Sequence, residues 1–375
     1  MKLKTLLLTL LLITTSGGVL AEFPNERMSD PARELHQSWH SREYSGPIID
    51  THFHITPAGV GGKENAEEYI EELLELLDTN NIMNIIEMPT PNDLRPGEKL
   101  ERYTKHRMYA IDYVYEIDSS NKFLGFCEPT GLPHLYMSEA LEDEINSALD
   151  ELDSALKNDN CIGIGEFGPY HFAKIPKQKK SVIVMPLTFK PFLKMLSMIE
   201  DSGKYLVLHM EPMDSDGGPL AEDANPESYH SETLKLLDEI LNNFPNLKLV
   251  LAHTAMTNSG NLKYLLDKYP NLISGIKIQG HHISKSNWNY LEPIMKGFKP
   301  YNNLYKDWFE LIENYSNRFV IETDFKFLRL KRHFSGSPEN YINKHINKVR
   351  KILGLFSKDT AEKIAYKNAQ KYFLQ

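Results

Sequence analysis

Ile48-Ile49-Asp50-Thr51-His52-Phe53-His54 is a short apolar run that ends in two histidines two positions apart. In a β-strand alternate side chains share a face. The spacing therefore predicts that His52 and His54 project together, with Asp50 beneath them on the same side. Two imidazoles converging at a strand end can chelate a transition metal. A single His-x-His is common, so its meaning depends on how the other strands of the chain end.

Outward from this stretch the apolar runs recur. Strands are predicted at Pro47–His54, Ile82–Met88, Phe123–Glu128, Cys161–Phe167, Tyr205–Met210, Leu247–Ala252, Leu272–Gln279 and Phe319–Thr323. Helical periods fall between them, at Ala66–Thr79, Glu98–Ser119, Ser138–Lys157 with Ser138 as N-cap, Thr188–Ser202, Ser231–Asn243, Asn261–Lys268 and Tyr301–Tyr315. Two more helices, Pro338–Leu353 and Lys358–Phe373, close the chain. Strand starts are 25–47 residues apart, which implies parallel strands joined by right-handed crossovers. Eight such units predict an α/β fold of the closed (β/α)8 TIM-barrel type. A doubly wound open sheet is the alternative, but no Gly-rich phosphate turn follows an early strand.

The 375 residues suffice for one such barrel with additions. Hydrophobic residues at 41% provide ample core, and the net charge of −9 argues against a general nucleic-acid binder. Met1–Lys4 is a positive n-region, Thr5–Ile13 an apolar h-region, and Val19-Leu20-Ala21 a cleavage site. The expected organisation is a signal peptide over 1–21, an N-terminal arm over 22–46 and the barrel with its closing helices over 47–375. A secreted or periplasmic protein without a stable membrane anchor follows, since the apolar run is short for a bilayer. The two cysteines, Cys127 and Cys161, lie in neighbouring apolar runs. They are expected as separate buried thiols, although an oxidising compartment permits a disulfide.

In a (β/α)8 barrel the C-terminal strand ends share one mouth. Strand one ends in His52 and His54, strand four in Glu166, strand five in His209, strand six in His253 and strand eight in Asp324. Each alone reads as a satisfied strand-end histidine or a helix-capping carboxylate. Four histidines and two carboxylates at one end of one barrel read instead as a metal site.

This ordered set resembles the amidohydrolase superfamily of metal-dependent hydrolases, over about Pro47 to Asp324. Ala361–Ala369 is similar to the closing helix of its amidohydrolase-related and TatD-like branches. Members with a strand-four lysine carboxylate it to bridge two metals; Glu166 stands there, as in the TatD-like and some phosphotriesterase-like relatives. The resemblance implies one ion on His52, His54, Glu166 and Asp324 and another on Glu166, His209 and His253. Zinc suits these ligands, with one or two ions per chain; iron, manganese or nickel also fit. Such an ion lowers the pKa of bound water towards about 7. Asp324 would then act as general base. The expected reaction is hydrolysis of an amide, ester, lactone or phosphoester in a small-molecule substrate. A mononuclear decarboxylase, a TatD-like nuclease and a non-catalytic binding protein remain open, as do substrate and oligomeric state.

Further polar residues near strand ends are candidates for substrate choice: Glu87, Glu128, His134, Tyr170 and His171 in the first half, Glu211, Gln279, His281 and His282 in the second. The Lys174–Lys180 loop, with four lysines, could attract an anion, and Asp214–Asn225 could form a lid. Parity also places Lys277 beside Glu322 on neighbouring strands, which predicts a buried ion pair between them.

Overall fold

The computed structural model describes residues 43–55, 63–89, 121–127, 131–173, 181–210, 226–277, 295–296, 303–304, 306–326 and 338–374. The expected signal peptide, most of the expected arm, the predicted helix Glu98–Ser119 and the loops Lys174–Lys180 and Asp214–Asn225 lie outside them, as do Glu128, Glu211, Gln279, His281 and His282.

The strands, in chain order, are β1 (Ile48–His54), β2 (Ile82–Glu87), β3 (Phe123–Cys127), β4 (Cys161–Ala173), β5 (Ser181–Val184), β6 (Tyr205–Met210), β7 (Lys248–Leu251), β8 (Leu272–Lys277), β9 (Met295–Lys296), β10 (Asn303–Leu304), β11 (Phe319–Glu322) and β12 (Phe325–Lys326). The helices are α1 (Lys63–Thr79), α2 (Leu132–Met137), α3 (Glu142–Lys157), α4 (Lys190–Ser202), α5 (Pro226–Asn243), α6 (Ser259–Lys268), α7 (Lys306–Asn314), α8 (Pro338–Leu353), α9 (Lys358–Glu362) and α10 (Asn368–Phe373). All eight predicted strands form. β4 overruns its expected end and folds back antiparallel on β5, a hairpin the apolar pattern did not announce. Ser138 follows α2, and α3 begins after Leu141, whose backbone N–H donates to the Glu144 carboxylate.

The parallel sheet runs β11-β8-β7-β6-β4-β3-β2-β1-β12. β11 and β12 are two halves of the eighth strand, split at Thr323-Asp324. The first half pairs with β8 and the second with β1, so the sheet closes on itself into a (β/α)8 barrel. Asp324 N–H donates to the His52 carbonyl, and Thr51 Oγ1 to the Ile321 carbonyl, sealing the seam.

Side-chain alternation divides the core in two. One face of the strands (Ile48, Phe53, Ile164, Leu206, Leu249) packs under the helices. The other fills the lower barrel with Ile49, Ile86, Phe126, Val207, Val250, Ile273 and Val320. Strand four contributes glycines here: a Cβ on Gly163 would lie 2.7 Å from the Phe126 ring, and one on Gly165 2.6 Å from Val207 Cβ. Helix α10 plugs the bottom. Phe373 meets Phe126 and Tyr205 edge-on at 6.0 and 5.1 Å, and buried Asn368 Nδ2 donates to the Ser316 and Phe319 carbonyls at 2.7 Å each. The Ala361–Ala369 segment therefore closes the barrel, as its resemblance implied.

Cys127 and Cys161, expected as separate thiols, form a disulfide between β3 and β4 with Cα atoms 5.4 Å apart. Their runs were correctly read as adjacent; a staggered register between the strands brings the two positions into bonding range, which spacing alone does not reveal.

Candidate metal centre

The upper barrel replaces aliphatic side chains with imidazoles and carboxylates. His52, His54, Glu166, His209 and His253 are buried, and Asp324 is nearly so, its side chain 15% exposed. All six residues named from the sequence meet there. Most arrive through a local break in the strand. In β1 Ile49 faces inward, so simple alternation would turn His52 outward. A register shift between Asp50 and Phe53 restores the inward phase for His52 and His54. A comparable shift between Ile164 and Phe167 delivers Glu166. His253 follows β7 in a left-handed turn, with φ of 55°, 60° and 50° at His253, Thr254 and Ala255. Asp324 sits in the split of strand eight at φ 52°. Only His209 extends an unbroken alternation, Tyr205-Val207-His209. Bulges and left-handed residues of this kind re-aim side chains at functional sites.

The same break corrects the expected place of Asp50. It does not stand in a row below the histidines. Its carboxylate accepts from Thr323 N–H at 3.0 Å, from Thr323 Oγ1 and from His52 N–H at 3.2 Å. It thus pins the bulge of β1 to the split of strand eight. Burial pushes its carboxyl up to about 7, against the pull of these bonds.

Three groups among the described residues could hold an ion: His52/His54/Asp324, Glu166/His209/His253 and His52/His253/Glu322. Glu166 links the first two: Oε2 lies 3.5 Å from His52 Nε2, while Oε1 meets His209 Nδ1 and lies 3.6 Å from His253 Nε2. The histidines are oriented from behind. His54 Nδ1 donates to the Met88 carbonyl at 2.5 Å, which turns Nε2 to Asp324 Oδ1 at 2.9 Å. His253 Nδ1 donates to Glu322 Oε2 at 2.9 Å, which frees Nε2 to face the centre. Outer partners of this sort fix tautomer and ring direction in metal sites.

Glu322 is the member that sequence reasoning misplaced. Its backbone registers with Lys277 as parity predicted, but the expected Lys277–Glu322 pair does not form. The Lys277 ammonium meets Asp324 Oδ2 instead, and Glu322 turns to His253 and towards His52. The left-handed backbone at Asp324 brings its carboxylate within reach of the lysine, a displacement that counting residues along a strand cannot see.

The electrostatics favour a cation. Burial opposes charge on His52, yet Glu166 and Glu322 push its pKa well above the usual range. Burial opposes ionisation of Glu322, but His253 and His52 hold its carboxyl down to about 2. Asp324, likewise buried, is held well below the ordinary carboxylate range by Lys277, His54 and His253. Burial and Lys277 lower the pKa of His253, which suits a neutral imidazole ligand. Among the described residues, neither ring nitrogen of fully buried His52 has a hydrogen-bond partner. A buried polar ring directed at carboxylates just beyond bonding distance is what a divalent ion would complete, so the residues present fit such an ion.

Of the secondary candidates, Glu87 is buried at the end of β2, His134 is half-buried on α2, and Tyr170 is half-buried on β4 beyond Glu166. His171 lies on the same strand extension. No described helix is long and apolar enough to cross a membrane.

No family model and no curated protein matches the chain. Solved structures share its fold. The 2,6-dihydroxybenzoate decarboxylase from Rhizobium is 14% identical with a TM-score of 0.51, over 88% of this chain and 99% of its own. An uncharacterised TIM-barrel protein from Bordetella bronchiseptica is 13% identical with a TM-score of 0.52, over 88% and 98%. The 5-carboxyvanillate decarboxylase from Novosphingobium aromaticivorans, complexed with manganese and 4-hydroxy-3-methoxy-5-nitrobenzoic acid, is 11% identical with a TM-score of 0.51, over 88% and 97%. At these identities the likeness establishes the barrel fold.

Proposed function

We propose that the chain is a metal-dependent enzyme of the amidohydrolase type, a hydrolase of amide, ester, lactone or phosphoester bonds in a small molecule. The observation that carries this reading is Glu166, whose two oxygens face His52 on one side and His209 and His253 on the other. A carboxylate so placed would offer an oxygen to each of two cations without the modification a lysine needs. We assign His52, His54, Glu166 and Asp324 to one ion and Glu166, His209 and His253 to the other, with zinc the expected metal.

A bound divalent ion supplies Lewis acidity and a water acidified to near neutrality. The chain's own residues supply the rest. Asp324, kept ionised by Lys277 and His54, is the proton acceptor and passes the proton to the leaving group. The buried walls around His52 and Glu166 exclude bulk water, which strengthens every charge interaction at the mouth.

Metal analysis and an Asp324→Asn variant test the reading. Two ions per chain and a turnover loss of about 10²–10⁴-fold are expected; less than one ion per chain, or full activity in the variant, sinks it. A second reading, a mononuclear decarboxylase of an aromatic acid, is favoured by Lys277, a fixed cation beside the centre able to hold a substrate carboxylate. Two of the fold neighbours are decarboxylases by name. One ion per chain with carbon dioxide release from a hydroxybenzoate would select it.

Export is part of the proposal. It is supported by the charged and apolar segments of residues 1–21 and by a disulfide, a bond that persists in oxidising compartments. A mature N-terminus at Glu22 in the extracytoplasmic fraction is expected; an intact Met1 in the cytoplasm rejects it.

A further inference from the structure

Glu322 lies within ligand range of His52 and His253, yet the two-ion assignment takes neither of its oxygens. We propose that Glu322 is a positioning residue that aims His253 and backs His52, and that Gly275 is the space its carboxylate requires. The inference rests on the reading that the centre takes a divalent cation.

One oxygen of Glu322, Oε2, accepts two bonds from the same residue, the backbone N–H and the Nδ1–H of His253, each 2.9 Å. The first holds the opening residue of the left-handed turn. The second makes Nδ1 the protonated nitrogen and leaves the Nε2 lone pair facing Glu166 Oε1 at 3.6 Å and Asp324 Oδ2 at 3.9 Å. The other oxygen, Oε1, lies 3.8 Å from His52 Nδ1, on the side of the ring away from Glu166. A single buried carboxylate thus stands behind histidines from strands one and six.

Strand seven is shaped around it. A Cβ on Gly275 would lie 1.7 Å from Glu322 Oε1 and 1.9 Å from its Cδ, so any side chain there must expel the carboxylate. The neighbouring cation does not claim it either: Lys277, its partner in register, reaches Asp324. A carboxylate 1% exposed is costly to bury, and an apolar residue would pack more cheaply if support alone were needed. Its bonds go to imidazole Nδ1–H and to the turn that carries the imidazole, the arrangement that raises ligand basicity and fixes ring direction.

The test compares zinc affinity, by chelator competition, in the wild type, Glu322→Gln, Gly275→Ala and the double variant. Each single variant should bind about 10–100-fold more weakly. The double variant should be no weaker than the singles, because both remove the same device. Cobalt-loaded Glu322→Gln should show an altered visible absorption spectrum, which a merely stabilising residue would not produce. Wild-type affinity in Glu322→Gln, or losses that add in the double variant, would overturn the proposal. Gly275→Ala can fail to fold, so a second measurement uses unmodified protein: nitrogen NMR of labelled histidines without metal. His253 should be protonated at Nδ1; an Nε2-protonated tautomer overturns the proposal whatever the variants do. A wild type that binds no zinc removes the metal reading and this one together, whereas tight wild-type binding with unaffected variants removes the positioning role alone.

Discussion

The lower and upper halves of the barrel interior differ in how their side chains get there. The lower half, from Ile49 to Val320, follows strand alternation, and Phe373 seals it from beneath. The upper half is delivered by interruptions: the bulge before His52, the shift before Glu166, the left-handed turn at His253 and the split at Asp324. Left-handed non-glycine residues each cost about 1–3 kcal/mol. The regular, apolar half provides the burial that offsets this strain. Packing core and candidate metal centre are thus separated along the barrel axis, with Asp50 joining the bulge to the split.

That separation can be broken by experiment. The largest effect is expected from Asp324→Asn, which should cost turnover about 2.7–5.4 kcal/mol of transition-state stabilisation while the protein still folds. Collapse of the fold in this variant, seen by circular dichroism, would show that the upper half is structural after all. Phe373→Ala should lower unfolding free energy by about 3–5 kcal/mol and leave metal stoichiometry unchanged. Denaturant melts with metal analysis check this, and a lost ion would show that the halves are coupled.

Chelation should act from the other side. A ligand bound only to the folded state at 100–1,000 times its Kd adds about 2.7–4.1 kcal/mol, so stripping the ions should lower the melting midpoint by that stabilisation. A midpoint indifferent to chelator would mean that the upper half is self-sufficient without metal. The smallest effect is expected from Lys277→Met, about 1–3 kcal/mol, below the range for a fully buried pair because Lys277 is 23% exposed. Since Lys277 serves Asp324 and not Glu322, turnover should fall together with stability; a stability loss with turnover untouched would restore a purely structural pairing.

Much of the site was legible because its members lie directly after apolar runs. Strand length is a local property, and the residue that follows a strand of a (β/α)8 barrel reaches the mouth wherever the helices go. His52, His54, Glu166, His209, His253 and Asp324 were all found in that way. Glu322 was seen but given the wrong partner, because parity assumes an unbroken strand and Asp324 breaks it. The place of Asp50 was misjudged for the same reason, two residues before a bulge. A usable signal for Glu322 was present in Gly275, a glycine inside the neighbouring apolar strand, which marks a close approach.

The sequence by itself determined the number and order of the eight barrel strands, the residue types at their ends and the closing helix. Hydrophobic period and residue type are written locally, and eight repeated units leave few ways to bury their apolar faces. Only the tertiary structure decided which face each candidate ligand takes, that Cys127 bonds Cys161, and that Lys277 pairs with Asp324 while Glu322 backs His253. The physical reason is common to all three. A one-residue irregularity inverts the phase of everything after it, and its cost is tolerated only because residues distant in sequence, such as Asp50 and Thr323, meet to hold it.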